Sequence, residues 1–442
     1  MRAASNPDEI LLRANALFRE EQSQDLRSVI AEKIEELGHY DVHAMDRVAA
    51  ILSWGRSGSV LLASYLDGHE DVLMLPELAG QRLYPFFERY PTLSLRDKLI
   101  AYAAFEQDYP MFFEGNSGIS RSQYYAAVEA ILEFYRDWPS DFLKSRRTFF
   151  LFVHIAYNLA LGRRLASPNP LIVHAQHMWD DTAARHLVED FPQTKFIHTV
   201  RDPISTCDGV FHFHFRIVEK HVLLPYSALF CLANKDRPHS GMESRTRTIR
   251  FEDLHGNTAE TIHSLANWLG LPHQAILLDS TFNGVPYVIT RDGQAWSGRR
   301  LDQTQRHSWD FSPKDRALLY ALFYENFVEW NYPCPKLFRH ALVRCIVFVS
   351  LVLVPMKTEF TAAWAICKRT IVPAVRQGKI SPVFKSLLGI GFCRFKIIWL
   401  LASAFFRRFA FGATLLQVDH KKRPSEWRDD GLRVAPNETE LR

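Results

Sequence analysis

Disulfide and zinc chemistry find little to build on in this chain. Its six cysteines, at 207, 231, 334, 345, 367 and 393, are scattered over 442 residues with no C-x-x-C pair. That argues against a disulfide framework and a zinc knuckle, and suits a reducing compartment. An N-terminal apolar stretch is also missing: Met1 to Asp25 is peppered with charge, so neither a secretory signal nor an N-terminal anchor is expected there. Long uncharged runs are absent. Cys345 to Met356 has 12 residues and Ile397 to Phe406 has 10, where roughly 20 are needed to cross a bilayer. A cytoplasmic protein is expected, with no nucleic-acid partner.

Charge is present in ordinary amount but unevenly placed. From Lys336 to Arg423 there are 16 Lys or Arg against two acids, Glu359 and Asp419, a local balance of +14. The whole chain carries +4, so the remainder stands near −10. A mildly acidic body joined to a strongly basic tail suggests that the tail meets something anionic. Length alone would allow about two or three domains, or one α/β domain with additions.

Asn6-Pro7-Asp8-Glu9 reads as a helix start, with a cap residue, Pro in the first turn and acids near the positive end of the dipole. Helical patterns follow at 8–22 and 25–37, a hairpin that packs on the core or forms an oligomer contact. From Arg47 the chain alternates. Strands are predicted at 47–53, 71–75, 171–175, 195–200 and 246–251, each a short Val/Ile/Leu/Phe-rich run bounded by turns or charge. Helices are predicted at 60–68, 93–107, 121–136, 147–164, 180–190, 204–220 and 256–269, and a last one from Ser312-Pro313 to Trp330. This alternation calls for a mostly parallel sheet with helices on both faces, and ligands in such sheets sit at the carboxyl ends of the strands.

The segment Ile51-Leu52-Ser53-Trp54-Gly55-Arg56-Ser57-Gly58-Ser59-Val60-Leu61-Leu62 joins a strand to a helix through a turn with two glycines. A helix start presents unpaired N–H groups and partial positive charge, and glycine lets an anion approach the backbone. This P-loop-like cradle is not a Walker A loop, which needs Lys after the second Gly. Here an Arg precedes the Ser-Gly-Ser turn.

The loop resembles the 5′-phosphosulfate loop of sulfotransferases that use 3′-phosphoadenosine 5′-phosphosulfate (PAPS). Three blocks carry the resemblance. The loop is followed by Leu66-Asp67-Gly68-His69-Glu70-Asp71-Val72 and Pro76-Glu77, similar to the family's "HPDV"-type turn and following acid, with Glu70 where Pro is usual. Phe191 to Pro203, ending Thr199-Val200-Arg201-Asp202-Pro203, is similar to the 3′-phosphate-binding strand and turn. Ile249-Arg250-Phe251-Glu252-Asp253-Leu254 with Leu269-Gly270-Leu271-Pro272 resembles the "YEDL…LGL" segment.

What the resemblance implies is specific. Ser57, Gly58, Ser59 and Val60 would offer backbone N–H groups to the 5′-phosphosulfate, and Arg56 would neutralise sulfate and leaving phosphate. Glu77 would be the general base that takes the acceptor's proton, with His69 a weaker alternative. Arg201 would hold the 3′-phosphate. The family usually has Ser eight residues later, where this chain has Gly209; Ser205, Thr206 or the Gly209 N–H could serve instead. Around the place where many relatives carry a Lys stand His174, Gln176 and His177, either acceptor-site or structural residues. Trp296 and Arg299 lie where relatives close a loop over the nucleotide, or else belong to an ordinary surface loop. His212 and His214 lack a third ligand at metal-site spacing, and no metal is expected.

The expected organisation is an N-terminal helical arm at 1–45, a sulfotransferase domain at 46–335, a basic, apolar, membrane-associated helical extension at 336–423 and a disordered tail at 424–442. If 385–411 is one helix, Lys385, Lys396 and Arg407 fall within roughly 40° of one another at about 100° per residue. Arg394 lies nearly opposite and spoils a simple amphipathic pattern. Such a helix suits the inner face of an anionic membrane, or it caps the core or a partner chain. The expected reaction moves a sulfuryl group from PAPS to a hydroxyl of a carbohydrate, glycolipid or lipid. Two rivals remain: a kinase-like phosphotransferase, which would prefer ATP, and a non-catalytic, membrane-associated nucleotide-binding protein, in which Glu77→Gln would change nothing.

Overall fold

The computed structural model describes residues 6–53, 55–76, 79–106, 112–113, 118–176, 181–217, 226–227, 229, 232, 243–291, 294–298 and 311–411. All five predicted strands form within a residue or two of their expected bounds: β1 Val48–Ser53, β2 Val72–Met74, β3 Leu171–Gln176, β4 Lys195–Val200 and β5 Thr246–Arg250. They make one sheet in the order β2-β3-β1-β4-β5, every pair parallel.

The central strand β1 is almost wholly apolar because a parallel sheet is covered on both sides, whereas the edge strand β5 keeps Thr246, Arg247 and Arg250 only partly buried. Side chains alternate across β1 as its pleat requires. Val48, Ala50 and Leu52 enter a core built with helices α1 (Pro7–Leu17) and α2 (Arg27–Leu37) and those at Leu95–Glu106, Arg121–Phe134 and Arg146–Leu161. Ala49 and Ile51 enter a second core with α3 (Ser59–Leu66) and the Thr258–Leu269 helix. The fold is α/β, with the N-terminal arm packed on its own chain.

Two helical predictions differ most from the structure. The pattern at 8–22 stops at Leu17, because Phe18 leaves helical geometry (φ −104°, ψ 18°). Its ring turns inward against Phe113 and Tyr124. The final helix is two, Pro313–Leu322 and Tyr324–Glu329, broken at Phe323 (φ −111°, ψ 21°). The break sends Phe323, Phe327 and Trp330 into a third core, and no Pro or Gly marks it in the sequence.

That third core also takes up the C-terminal extension. Helices at Ala341–Val352 and Ile380–Phe411 bring Phe348, Val352, Ile397, Leu401 and Phe405 onto Leu318, Phe327 and Trp330. The span 385–411, considered as one helix, lies within a single helix that begins at Ile380. The tail at 424–442 lies outside the described residues.

Candidate active site

From β1 the chain runs through α3 toward the β2 side of the sheet, whereas from β4 it runs through the Pro203–Ile217 helix toward β5. The connections diverge between two adjacent strands, and a crevice opens beyond their carboxyl ends. Open α/β sheets bind ligands at such a switch point.

The turn after β1 is held in an unusual backbone shape. Gly55, Arg56 and Gly58 all take positive φ, at 78°, 46° and 87°. A non-glycine residue at φ > 0 is strained, so the surroundings must hold Arg56 there. A chain of hydroxyls does part of this. The Gly55 N–H donates to Ser53 Oγ at 3.1 Å, and Ser53 and Ser57 share a bond of 3.2 Å. Ser57 and Thr199 share one of 2.9 Å, and Thr199 donates to the Leu52 carbonyl at 3.2 Å. That last donation commits the Thr199 proton, so the sense of every link is fixed. The Ser57 side chain is therefore structural, and the loop is tied to β1 and β4 together.

Beyond Gly58 the helix begins. The Leu62 N–H reaches the Gly58 carbonyl at 2.9 Å, so the N–H groups of Ser59, Val60 and Leu61 precede the first intrahelical bond. These are the donors of an anion cradle. Gly58 is required for a second reason: a Cβ there would come 2.8 Å from the Phe251 ring.

Phe251 links the two halves of the site, for the Arg201 guanidinium stacks on its ring at 4.2 Å from the centroid. Burial pulls the Arg201 pKa below its ordinary value, against the opposing pull of Glu252 and Asp202. Both acids are anchored. Asp202 accepts the N–H and hydroxyl of Ser205 at 2.7 and 2.8 Å, capping the helix that starts at Pro203. Glu252 accepts the Asp202 N–H at 3.3 Å and the Tyr332 hydroxyl at 2.5 Å, while burial raises its own pKa. One turn further along, Gly209 faces Arg56: a Cβ at 209 would lie 3.4 Å from the Arg56 Cβ.

Arg56, Ser57, Gly58, Ser59, Val60, Arg201, Ser205 and Gly209 are thus gathered around one crevice. Glu77 lies outside the described residues; its chain neighbour Pro76 follows β2, and the turn Ala79–Arg82 comes next. Arg299 also lies outside them, as do His177 and the side chains of Gln176, His212, His214 and Trp296. The hairpin β6 (Val288–Arg291) and β7 (Gln294–Ser297) returns the chain toward α3, with Gly298 beside the Tyr65 hydroxyl.

Two histidines take structural places. His69 Nδ1 accepts the Asp71 N–H at 3.0 Å, so Nε2 carries the proton and donates to the Pro272 carbonyl at 2.9 Å. His174 is buried beside Phe150 and His154, and burial drops the His154 pKa to about 3. Phe251, Thr199, Asp202 and Glu252 received no role from the sequence. The available signs were their position directly at or after a strand's carboxyl end and their place in the blocks that carry the resemblance.

Comparison with solved structures found the sulfotransferase domain from the Synechococcus PCC 7002 olefin synthase, 18% identical, TM-score 0.38, covering 65% of this chain and 95% of that one. The sulfotransferase domain from the curacin biosynthetic pathway is 14% identical, TM-score 0.33, covering 65% and 99%. A Mycobacterium avium sulfotransferase is 12% identical, TM-score 0.36, covering 76% and 99%. No curated protein sequence matched. The family profile described as "Sulfotransferase family" matches residues 49–275, a span that begins in β1 and takes in the glycine turn, Arg201 and Phe251; the chain belongs to the sulfotransferase family.

Proposed function

We propose that the protein transfers the sulfuryl group of PAPS to a hydroxyl of a carbohydrate, glycolipid or lipid acceptor, releasing adenosine 3′,5′-bisphosphate. The observation that carries this reading is the meeting, through Gly58, Phe251 and Gly209, of an arginine-led anion turn and a second, stacked arginine at one switch point. Two cationic positions on one crevice match a donor with two phosphate-bearing ends.

In this reading Glu77 takes the proton of the acceptor hydroxyl as its oxygen bonds to sulfur. The bond from sulfur to the bridging oxygen breaks, and its electron pair stays on the departing 5′-phosphate. Arg56 and the N–H groups of Ser59 and Val60 stabilise the charge that collects there. By analogy with phosphoryl transfer, the protein's main work is positioning and charge stabilisation. Arg201 holds the 3′-phosphate, with Arg299 closing over the nucleotide. No step requires a metal.

Calorimetry with adenosine 3′,5′-bisphosphate tests the nucleotide half before any acceptor is known. Wild type should bind it in preference to ATP, and Arg201→Ala should weaken binding about 10- to 100-fold, the worth of a charged hydrogen bond. Preference for ATP would instead favour the kinase-like alternative. If Glu77→Gln leaves transfer to small hydroxyl acceptors unchanged, Glu77 is not the base.

A further inference from the structure

The Ile380–Phe411 helix has two apolar faces. Its inner face supplies Ile397, Leu400, Leu401, Ala404 and Phe405 to the interior. Its outer face carries Phe384, Leu388, Phe392, Phe395, Trp399 and Phe406, all exposed, with Phe392 at 66%. At about 100° per residue these six fall in a stripe roughly 80° wide, on the side opposite the buried face. Solvent-exposed aromatics seldom gather into such a continuous stripe without a partner.

The charges decide which partner. Lys385, Lys396 and Arg407 are exposed and run along one border of the stripe. Arg394, on the inner side, is accounted for: one guanidinium nitrogen donates to both Glu359 carboxylate oxygens, at 2.8 and 2.9 Å, and the other donates to the Val352 carbonyl. Arg408 likewise turns inward to Asn326. The basic groups left facing out therefore border the apolar stripe. Neighbouring helices repeat the pattern, with Leu342, Ile346 and Val349 exposed on one and Phe360 and Trp364 on the next.

Two segments, Ala341–Thr361 and Ile380–Phe409, are long and apolar enough to cross a bilayer by composition. The packing speaks against crossing. Phe405 stacks on Phe348 at 4.0 Å, and both lie in one core with Trp330 and Phe327 of the enzyme body. Over Ile397–Phe405 one side of the helix is held in that core, so there only its other side can face lipid; ahead of it, from Ile380 to Lys396, no residue is buried, and Ile380 and Leu387 add to the exposed apolar surface.

We infer that the Phe384–Phe406 stripe is a monotopic docking face that lies in the surface of an anionic membrane, its aromatics among the acyl chains and Lys385, Lys396 and Arg407 at the headgroups. This inference does not depend on the donor or on Glu77.

Flotation of the purified full chain with vesicles is the test, using phosphatidylcholine alone and phosphatidylcholine mixed with phosphatidylglycerol. The wild type should float with the mixed vesicles, and less so at high salt. Phe392→Asp with Trp399→Asp should cut the bound fraction at least about tenfold without moving the thermal midpoint. Phe384→Asp with Phe395→Asp should do the same, guarding against one pair misfolding. Lys385→Glu with Lys396→Glu should abolish the preference for anionic vesicles. Failure of the wild type to float, or floating by both aromatic pairs as by wild type, overturns the inference. So does a wild-type dimer in sedimentation that the aromatic pairs dissociate, since a second copy would then own the face. None of these readouts requires sulfuryl transfer, so failure here is distinct from failure of the proposed reaction.

Discussion

Position 58 accepts no side chain. Its φ of 87° disfavours any L residue, and a Cβ would press into the Phe251 ring at 2.8 Å. Gly58→Ala should therefore cost about 1–3 kcal/mol of stability, seen as a lower thermal midpoint. It should also weaken adenosine 3′,5′-bisphosphate by displacing the ring on which Arg201 lies. Position 209 behaves in the opposite way. Gly209 sits inside the Pro203–Ile217 helix, and an added Cβ meets only the Arg56 stem, at 3.4 Å. Gly209→Ser should gain about 0.5 kcal/mol from helix propensity. Under the proposed function its hydroxyl would supply the donor that the family resemblance implies at this position, so calorimetry should show adenosine 3′,5′-bisphosphate bound about 2- to 10-fold tighter. Unchanged affinity would mean that this crevice does not use the position.

Among elements, the short turn Ala79–Arg82 begins two residues after Glu77, the base of the proposed reaction. Two groups from the Leu95–Glu106 helix anchor it. The Tyr102 hydroxyl donates to the Ala79 carbonyl, and Arg82 pairs with Glu106 at 2.6 Å. Burial raises the Glu106 pKa to about 7, even against the pull of Arg82. Between the ordinary value near 4.5 and about 7 the native state then holds a proton that the unfolded chain has lost, so stability falls as pH rises through that window. Urea midpoints from pH 4.5 to 8 should show this slope in the wild type and a flatter profile in Glu106→Gln. An equal slope in both would assign the titration elsewhere. The central strand of this architecture was legible because a strand covered on both sides is an apolar run, as Val48–Leu52 is. The turn was legible from its glycines. Contacts that make those pieces a site were not, since Gly58 meets Phe251, and Gly209 meets Arg56, across long stretches of chain. Arg394 shows the same limit: along one helix it broke the amphipathic pattern, whereas in the fold it answers Glu359.

On the scale of the whole molecule, the question is whether the basic extension is an appendage or part of the body. Its charge sets it apart, but its inner residues do not. Phe348, Val352, Ile397, Leu401 and Phe405 close the third core over Phe327 and Trp330. Each such side chain contributes about 1.5–3 kcal/mol on burial, an upper estimate because unfolded chains are partly compact. Five together approach the 5–15 kcal/mol that separates a folded domain from its unfolded chain. Truncation after Pro335 should therefore expose Trp330 and its neighbours, lower the thermal midpoint sharply and drive aggregation with dye-binding apolar surface. Substitutions confined to the outer stripe should leave the midpoint unchanged, because those side chains already face solvent. A truncated chain that stayed monomeric with the wild-type midpoint would show that the extension is separable, and loss of membrane binding could then be read from truncation alone. With the inner face built into the core, only the outer-face variants isolate docking from folding.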